Sequence, residues 1–216
     1  MKRVILAIAA LALWSGAAYA EVGDNEVGMN VHNGSPHFLD ACVDLGVQWV
    51  RMDGNWFQLE PSNDNYQWTA LDNAVTGASN SGLKTFITLA YTPDWVARTG
   101  DTDGDPHNDI PDVNAWTDFV TDAVTHYRAL GVTHFGMWNE ANLGHFFEGN
   151  AQQYADLIAI PGAAAVRAAC ADCVVLGPDL ANVGPADEFL EDVLARTGPQ
   201  TFDIISHHSY NGFPEI

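Results

Sequence analysis

The stretch LGVTHFGMWNE, residues 130–140, carries the decision about the fold. Leu130 closes a helical pattern, and Gly131 directly after it supplies the left-handed residue that lets a helix stop and the chain turn. His134 to Trp138 is then a short, near-continuous apolar run, the signature of a strand covered on both faces. The run ends on a polar pair, Asn139 and Glu140.

Working outward, the same helix-to-strand turn recurs as Leu-Gly-Val at 45–47 and Ser-Gly-Leu at 81–83. Further strand-like runs lie at Val27–Val31, Gln48–Met52, Thr85–Leu89, Val174–Gly177 and Phe202–Ser206. Helical patterns over Pro36–Leu45, Trp68–Ser81, Val113–Leu130, Gln152–Ala171 and Ala186–Arg196 separate them. This alternation predicts an α/β fold with a parallel sheet in a single domain. A doubly wound open sheet would be favoured by a glycine-rich phosphate loop after the first strand, and Val31-His32-Asn33-Gly34-Ser35-Pro36 does not match one. A closed (β/α)8 TIM barrel is favoured by polar and aromatic residues at nearly every strand end: His32, Arg51 and Asp53, Tyr91, Asn139 and Glu140, Asp179, His207 and His208. Six units fall short of a barrel of about 250 residues, so the expectation is a barrel truncated to about six β/α units.

The first 20 residues have a basic start (Lys2, Arg3), an apolar run from Val4 to Trp14, and Ala18-Tyr19-Ala20. They read as a secretory signal peptide cleaved after Ala20, leaving a partial catalytic domain over 21–216 in a secreted or periplasmic protein. Removing the leader leaves 6 basic against 28 acidic residues, a net charge of −22. Such a field repels phosphate backbones and anionic lipid, which excludes nucleic acid and membrane surfaces as partners and leaves neutral polymers acceptable. For an exported chain, Cys170-Ala-Asp-Cys173 reads as a structural disulfide; the rival reading, a redox pair on an open sheet, lacks the flanking sequence of such motifs. Cys42 sits among apolar neighbours as a buried thiol.

In order along the chain, Gly46-Val-Gln-Trp-Val-Arg-Met-Asp53, Thr92-Pro-Asp-Trp95, Trp138-Asn-Glu-Ala-Asn142 and His207-His-Ser-Tyr210 resemble the strand ends of clan A glycoside hydrolases, the (β/α)8 retaining β-glycosidases, most of all the family 39 and family 5 types. The resemblance covers most of the mature chain. It implies cleavage of poly- or oligosaccharides with Glu140 as acid/base, without a cofactor. It also implies that Asn139 meets the sugar 2-hydroxyl, that Arg51 steadies the nucleophile, and that His32, His207 and Tyr210 contact sugar. The chemistry is coherent, because a glycosidic oxygen leaves poorly unless an acid protonates it. That acid needs a desolvating neighbourhood, for which Trp138 and Phe147 are to hand. Tyr91, Trp95 and Phe147 are positioned to stack on sugar rings, whereas Trp56 and Trp68 read as packing residues.

Retention needs a second carboxylate about 5–5.5 Å away, which the resemblance puts at the end of a seventh strand, beyond residue 216; Glu215 is a poor candidate because no helix separates it from His208. A catalytically inactive, carbohydrate-binding barrel is the alternative reading. The adjacent histidines lack the spacing of a metal site. The insertion DTDGDPHND, residues 101–109, resembles a calcium loop with Asp101, Asp103 and Asp105 as ligands for weak Ca2+, but lacks the glutamate of an EF-hand and reads more readily as a solvated acidic turn.

Overall fold

A computed structural model describes residues 27–32, 34–97, 103–182 and 188–209. The strands are β1 (Gly28–His32), β2 (Trp49–Asn55), β3 (Lys84–Ala90), β4 (His134–Met137), β5 (Val174–Ala181) and β6 (Ile204–His208). They form one parallel sheet in sequential order. Helices α1 (Pro36–Asp44), α2 (Trp56–Leu59), α3 (Thr69–Asn80), α4 (Val113–Ala129), α5 (Ala151–Tyr154), α6 (Ile160–Ala169) and α7 (Glu188–Thr197) lie in the connections, with a 3₁₀ turn at Pro106–Asn108. Gly46, Gly82 and Gly131 have φ of 74°, 76° and 93°, so the three recurring turns use the left-handed residue the sequence supplies.

The sheet curls. Strands β2 and β6 are four places apart, about 19 Å in a flat sheet, yet Arg51 on β2 and His208 on β6 approach to 3.0 Å. Alternation along each strand sorts the side chains into two environments. Val50, Met52, Ile87, Leu89, Phe135, Met137 and Val175 are fully buried. Trp49, Arg51, Asp53 and Asn55 alternate with Val50, Met52 and Gly54 along β2, on its half-exposed concave face. The helix-side core is aromatic: the Trp56 ring stacks on Phe119 at 5.0 Å, and Trp116 bridges Trp56 and Trp138 at 5.7 Å from each.

Three boundaries differ from the sequence reading. Strand β2 extends to Asn55, so Arg51 lies inside the strand instead of ending it, and only its long side chain reaches the mouth. The helix expected over Gln152–Ala171 is interrupted by a π-helical turn, Ala155–Ala159, ahead of Pro161. Proline has no N–H for the carbonyl four residues back, and widening the turn accommodates that loss. Strand β6 runs to His208, which decides between the two histidines below.

Cys170 and Cys173 are bonded to each other, as expected of the structural reading, and Cys42 is free and buried. No described helix is long and apolar enough to cross a membrane. The leader, Asp101, Tyr210 and Glu215 lie outside the described residues.

Candidate active site

Strand ends are bent to deliver their side chains. Among the described residues other than glycine, seven have positive φ; five of these follow or end strands, His32 (52°), Tyr91 (112°), Trp138 (72°), Glu140 (49°) and Asn182 (51°), and a sixth, Asp179 (56°), lies at the irregularity inside β5. Each such conformation costs about 1–3 kcal/mol, and clusters of them belong to functional sites. The bend at Trp138 and Glu140 has a visible effect. The indole of Trp138 turns into the core, donating to the Phe146 carbonyl at 2.8 Å, while Asn139 and Glu140, adjacent in sequence, both line the concave cleft. A regular strand would send those two neighbours to opposite faces.

Glu140 is 5% exposed. Its Oε1 lies 2.5 Å from Nδ1 of His208, and Nε2 of His208 lies 3.0 Å from Nη1 of Arg51. A guanidinium only donates, so Nε2 must accept. His208 is therefore neutral, its proton sits on Nδ1, and Oε1 of Glu140 accepts it.

Arg51 is the hub. Its Nε donates to Thr88 Oγ1 and its Nη2 to Asn139 Oδ1, both at 2.7 Å. Nη2 also lies 3.0 Å from Asp179 Oδ2, close enough for an ion pair though not aligned as a hydrogen bond. With Asn139 Oδ1 occupied by Arg51, its Nδ2 donates to the Tyr91 hydroxyl at 2.9 Å. Burial pushes the Tyr91 phenol up to about 12, against the smaller opposing pull of the Asn139 hydrogen bond. Tyr91 thus keeps its own O–H to donate throughout the neutral range.

Arg51, Asn139, Glu140, Tyr91 and His32 share one cleft of about 220 Å³ with Asp53, Thr88, Phe146 and His208. His32 sits at the rim with Nδ1 2.8 Å from Asp53 Oδ2. Trp95 is not among the cleft-lining residues: its indole N–H donates to the Glu60 carbonyl at 2.9 Å and its ring meets Trp56 edge-on. His207 is exposed; strand alternation gives the inward position to His208. Phe147 is buried at 1% exposure between Trp138 and Tyr154, so Phe146 takes its place, stacked with Tyr91 at 6.0 Å. Asp53, Asp179 and His208 are marked in the sequence as polar strand ends without any pattern that assigns them roles. Phe146 and Thr88 carry no such mark.

Within the acidic insertion, the carboxylates of Asp103 and Asp105 bond their own turn. Asp103 accepts from Asp105 N–H and from Asn108 Nδ2, and Asp105 accepts from His107 N–H. Asn108 also donates to the Gly144 carbonyl, tying this loop to the one after β4. The three metal-ligand groups gathered together among the described residues are Cys170, Asp172 and Cys173, and the two sulfurs there are bonded to each other.

The curled sheet and its mouth define the class: six strands of a (β/α)8 barrel, built as in clan A glycoside hydrolases. Similar solved structures include the family 39 enzyme of Xanthomonas axonopodis pv. citri (24% identity, 85% of this chain and 40% of that one, TM-score 0.66). They also include a monomeric β-xylosidase of Caulobacter crescentus CB15 (25%, 86% and 42%, 0.67) and a family 30 endoxylanase of Clostridium papyrosolvens C71 (15%, 86% and 50%, 0.65). The chain spans 40 to 50% of the length of these proteins. No family model and no curated protein matches the sequence.

Proposed function

We propose that the protein is a secreted glycoside hydrolase that cleaves β-linked poly- or oligosaccharides with retention, using Glu140 as acid/base. The observation that carries this is the buried Glu140 carboxyl at the mouth of the curled sheet, held by His208 and lining one cleft with Asn139, Arg51 and Tyr91. The carboxyl first protonates the departing oxygen. As a carboxylate it then takes a proton from the incoming water. Asn139, held between Arg51 and Tyr91, is fixed for the sugar 2-hydroxyl, where hydrogen bonds strengthen as positive charge develops on the ring. His208 is a positioning residue, because it acts through Glu140.

The double displacement needs a nucleophile about 5–5.5 Å from Glu140 across the sugar. We assign that carboxylate to the strand position beside β6, after residue 216. Arg51 has Asp179 as its described carboxylate partner, so its proposed support of the nucleophile operates through this pair.

The test is hydrolysis of an aryl β-glycoside by the polypeptide of the natural gene. Glu140→Gln is expected to lower kcat/KM about 10²- to 10⁴-fold for a poor leaving group. Undiminished turnover would reject Glu140 as the acid. Sugar binding without turnover by the unaltered protein would indicate the carbohydrate-binding barrel instead. Secretion is checked by N-terminal sequencing of the exported protein, which is expected to begin at Glu21.

A further inference from the structure

A second cavity, of about 540 Å³, shares His32, Asp53 and Asn55 with the catalytic cleft and runs outward between α2 and the start of α3. Its remaining wall is made by two exposed amides, Gln58 and Gln67, over the small and apolar residues Leu59, Ala70 and Leu71. The wall is braced: Gln67 N–H donates to the Leu59 carbonyl at 2.7 Å, and Asn55 Nδ2 meets Gln58 Oε1 at 3.3 Å.

The chemistry of that wall selects its ligand. Carboxamides present donors and acceptors side by side, as sugar hydroxyls do, and the apolar floor suits the C–H face of a ring. None of the described lining residues is Lys or Arg, and the one carboxylate, Asp53, is paired with His32. An anionic ligand would meet no cation there and a protein of net charge −20 around it. Position adds direction. The acid must reach the oxygen between the cleaved sugar and its leaving group, so the leaving group lies on the Glu140 side. The cavity opens from β1 and β2, across the cleft from β4. We infer that it binds a second neutral sugar, linked to the cleaved one on its glycone side. The preferred substrate therefore carries at least two sugars before the scissile bond. This rests on the glycosidase reading above.

The test measures calorimetric binding of xylotriose, cellotriose and mannotriose against xylose, glucose and mannose, in the Glu140→Gln protein so that nothing is cleaved. At least one trisaccharide should bind tenfold or more tightly than its monosaccharide, with the same advantage at about 0.02 and 0.5 M salt, as a neutral ligand requires. Gln58→Ala with Gln67→Ala should reduce that advantage below threefold while the thermal midpoint holds. Ala70→Trp, which fills the cavity from an exposed position, should do the same. No trisaccharide advantage, an advantage that survives both changes, or one that collapses in salt would overturn the inference. The glycosidase reading fails on a different result, sugar binding by the unaltered protein with no turnover of an aryl β-glycoside, so the two failures are distinct.

Discussion

At the scale of single residues, His208 is the most informative side chain. Its two ring nitrogens face groups of opposite demand, the carboxyl of Glu140 and the guanidinium of Arg51, and that fixes its tautomer. Replacing it with alanine removes a hydrogen bond to an ionisable partner, worth about 1.5–3 kcal/mol. The expected result is a fall in kcat of about 10- to 100-fold with little change in KM. His208→Asn, which keeps a donor near the Nδ1 position, should recover part of it; a residue that only fills space would show neither the split nor the rescue. Glu60 makes a separate prediction about stability. Its carboxylate is buried, accepting from Trp56 Nε1 at 2.7 Å and Asp64 N–H at 2.9 Å, and burial raises it above the ordinary carboxylate range. A raised acid holds its proton more tightly folded than unfolded, so its favourable contribution is full at low pH and is lost as pH rises through the folded value. Melting curves across the acid-to-neutral range should therefore show the unaltered protein losing a contribution that Glu60→Gln lacks. The variant should itself be destabilised by about 1–3 kcal/mol, since an amide turns a donor toward a donor. A parallel pH dependence of the two proteins would refute the assignment.

At the scale of elements, the strand–helix rhythm was legible because apolar runs and post-helix glycines are local signals. All six strands and their parallel order fall where those signals put them, within a few residues. The errors arose where the outcome depended on contacts between distant segments. His207 and His208 are indistinguishable by composition, and one residue of strand extent decides which faces Glu140. Phe146 and Phe147 pose the same problem after β4, where the bend at Trp138 sends one ring to the cleft and buries the other. The π-helical turn was likewise unseen, although Pro161 marks it. Trp116 Nε1 on α4 donates to the Ile158 carbonyl there at 3.0 Å, and a Cβ on Gly162 would lie 2.8 Å from Met137 Sδ and 3.0 Å from Trp116 Nε1. Gly162→Ala should thus force α6 from both β4 and α4, costing about 1–3 kcal/mol in denaturant unfolding. An unchanged midpoint would show that the helix has room to shift.

At the scale of the whole molecule, β1 and β6 are the outer strands of the sheet among the described residues, with one neighbour each. Ile204 and Ile205 on β6 are 43% and 50% exposed, and Met29 on β1 is 37% exposed. Apolar, unpaired strand edges are templates for association. The 216-residue chain expressed alone is accordingly expected to sediment as oligomers, and a cooperatively melting monomer would contradict this. In the proposed reaction Glu140 is one of two carboxylates, so the proposal stands or falls on whether that residue delivers a proton. The direct measurement is the leaving-group dependence of Glu140→Gln in the polypeptide of the natural gene, with azide present to trap the glycosyl intermediate. The account predicts a loss of about 10²- to 10⁴-fold for phenyl glycosides. It also predicts little loss of the first step for dinitrophenyl glycosides, which need no acid, and formation of the β-glycosyl azide. An equal loss for every leaving group, with no azide product, would contradict it.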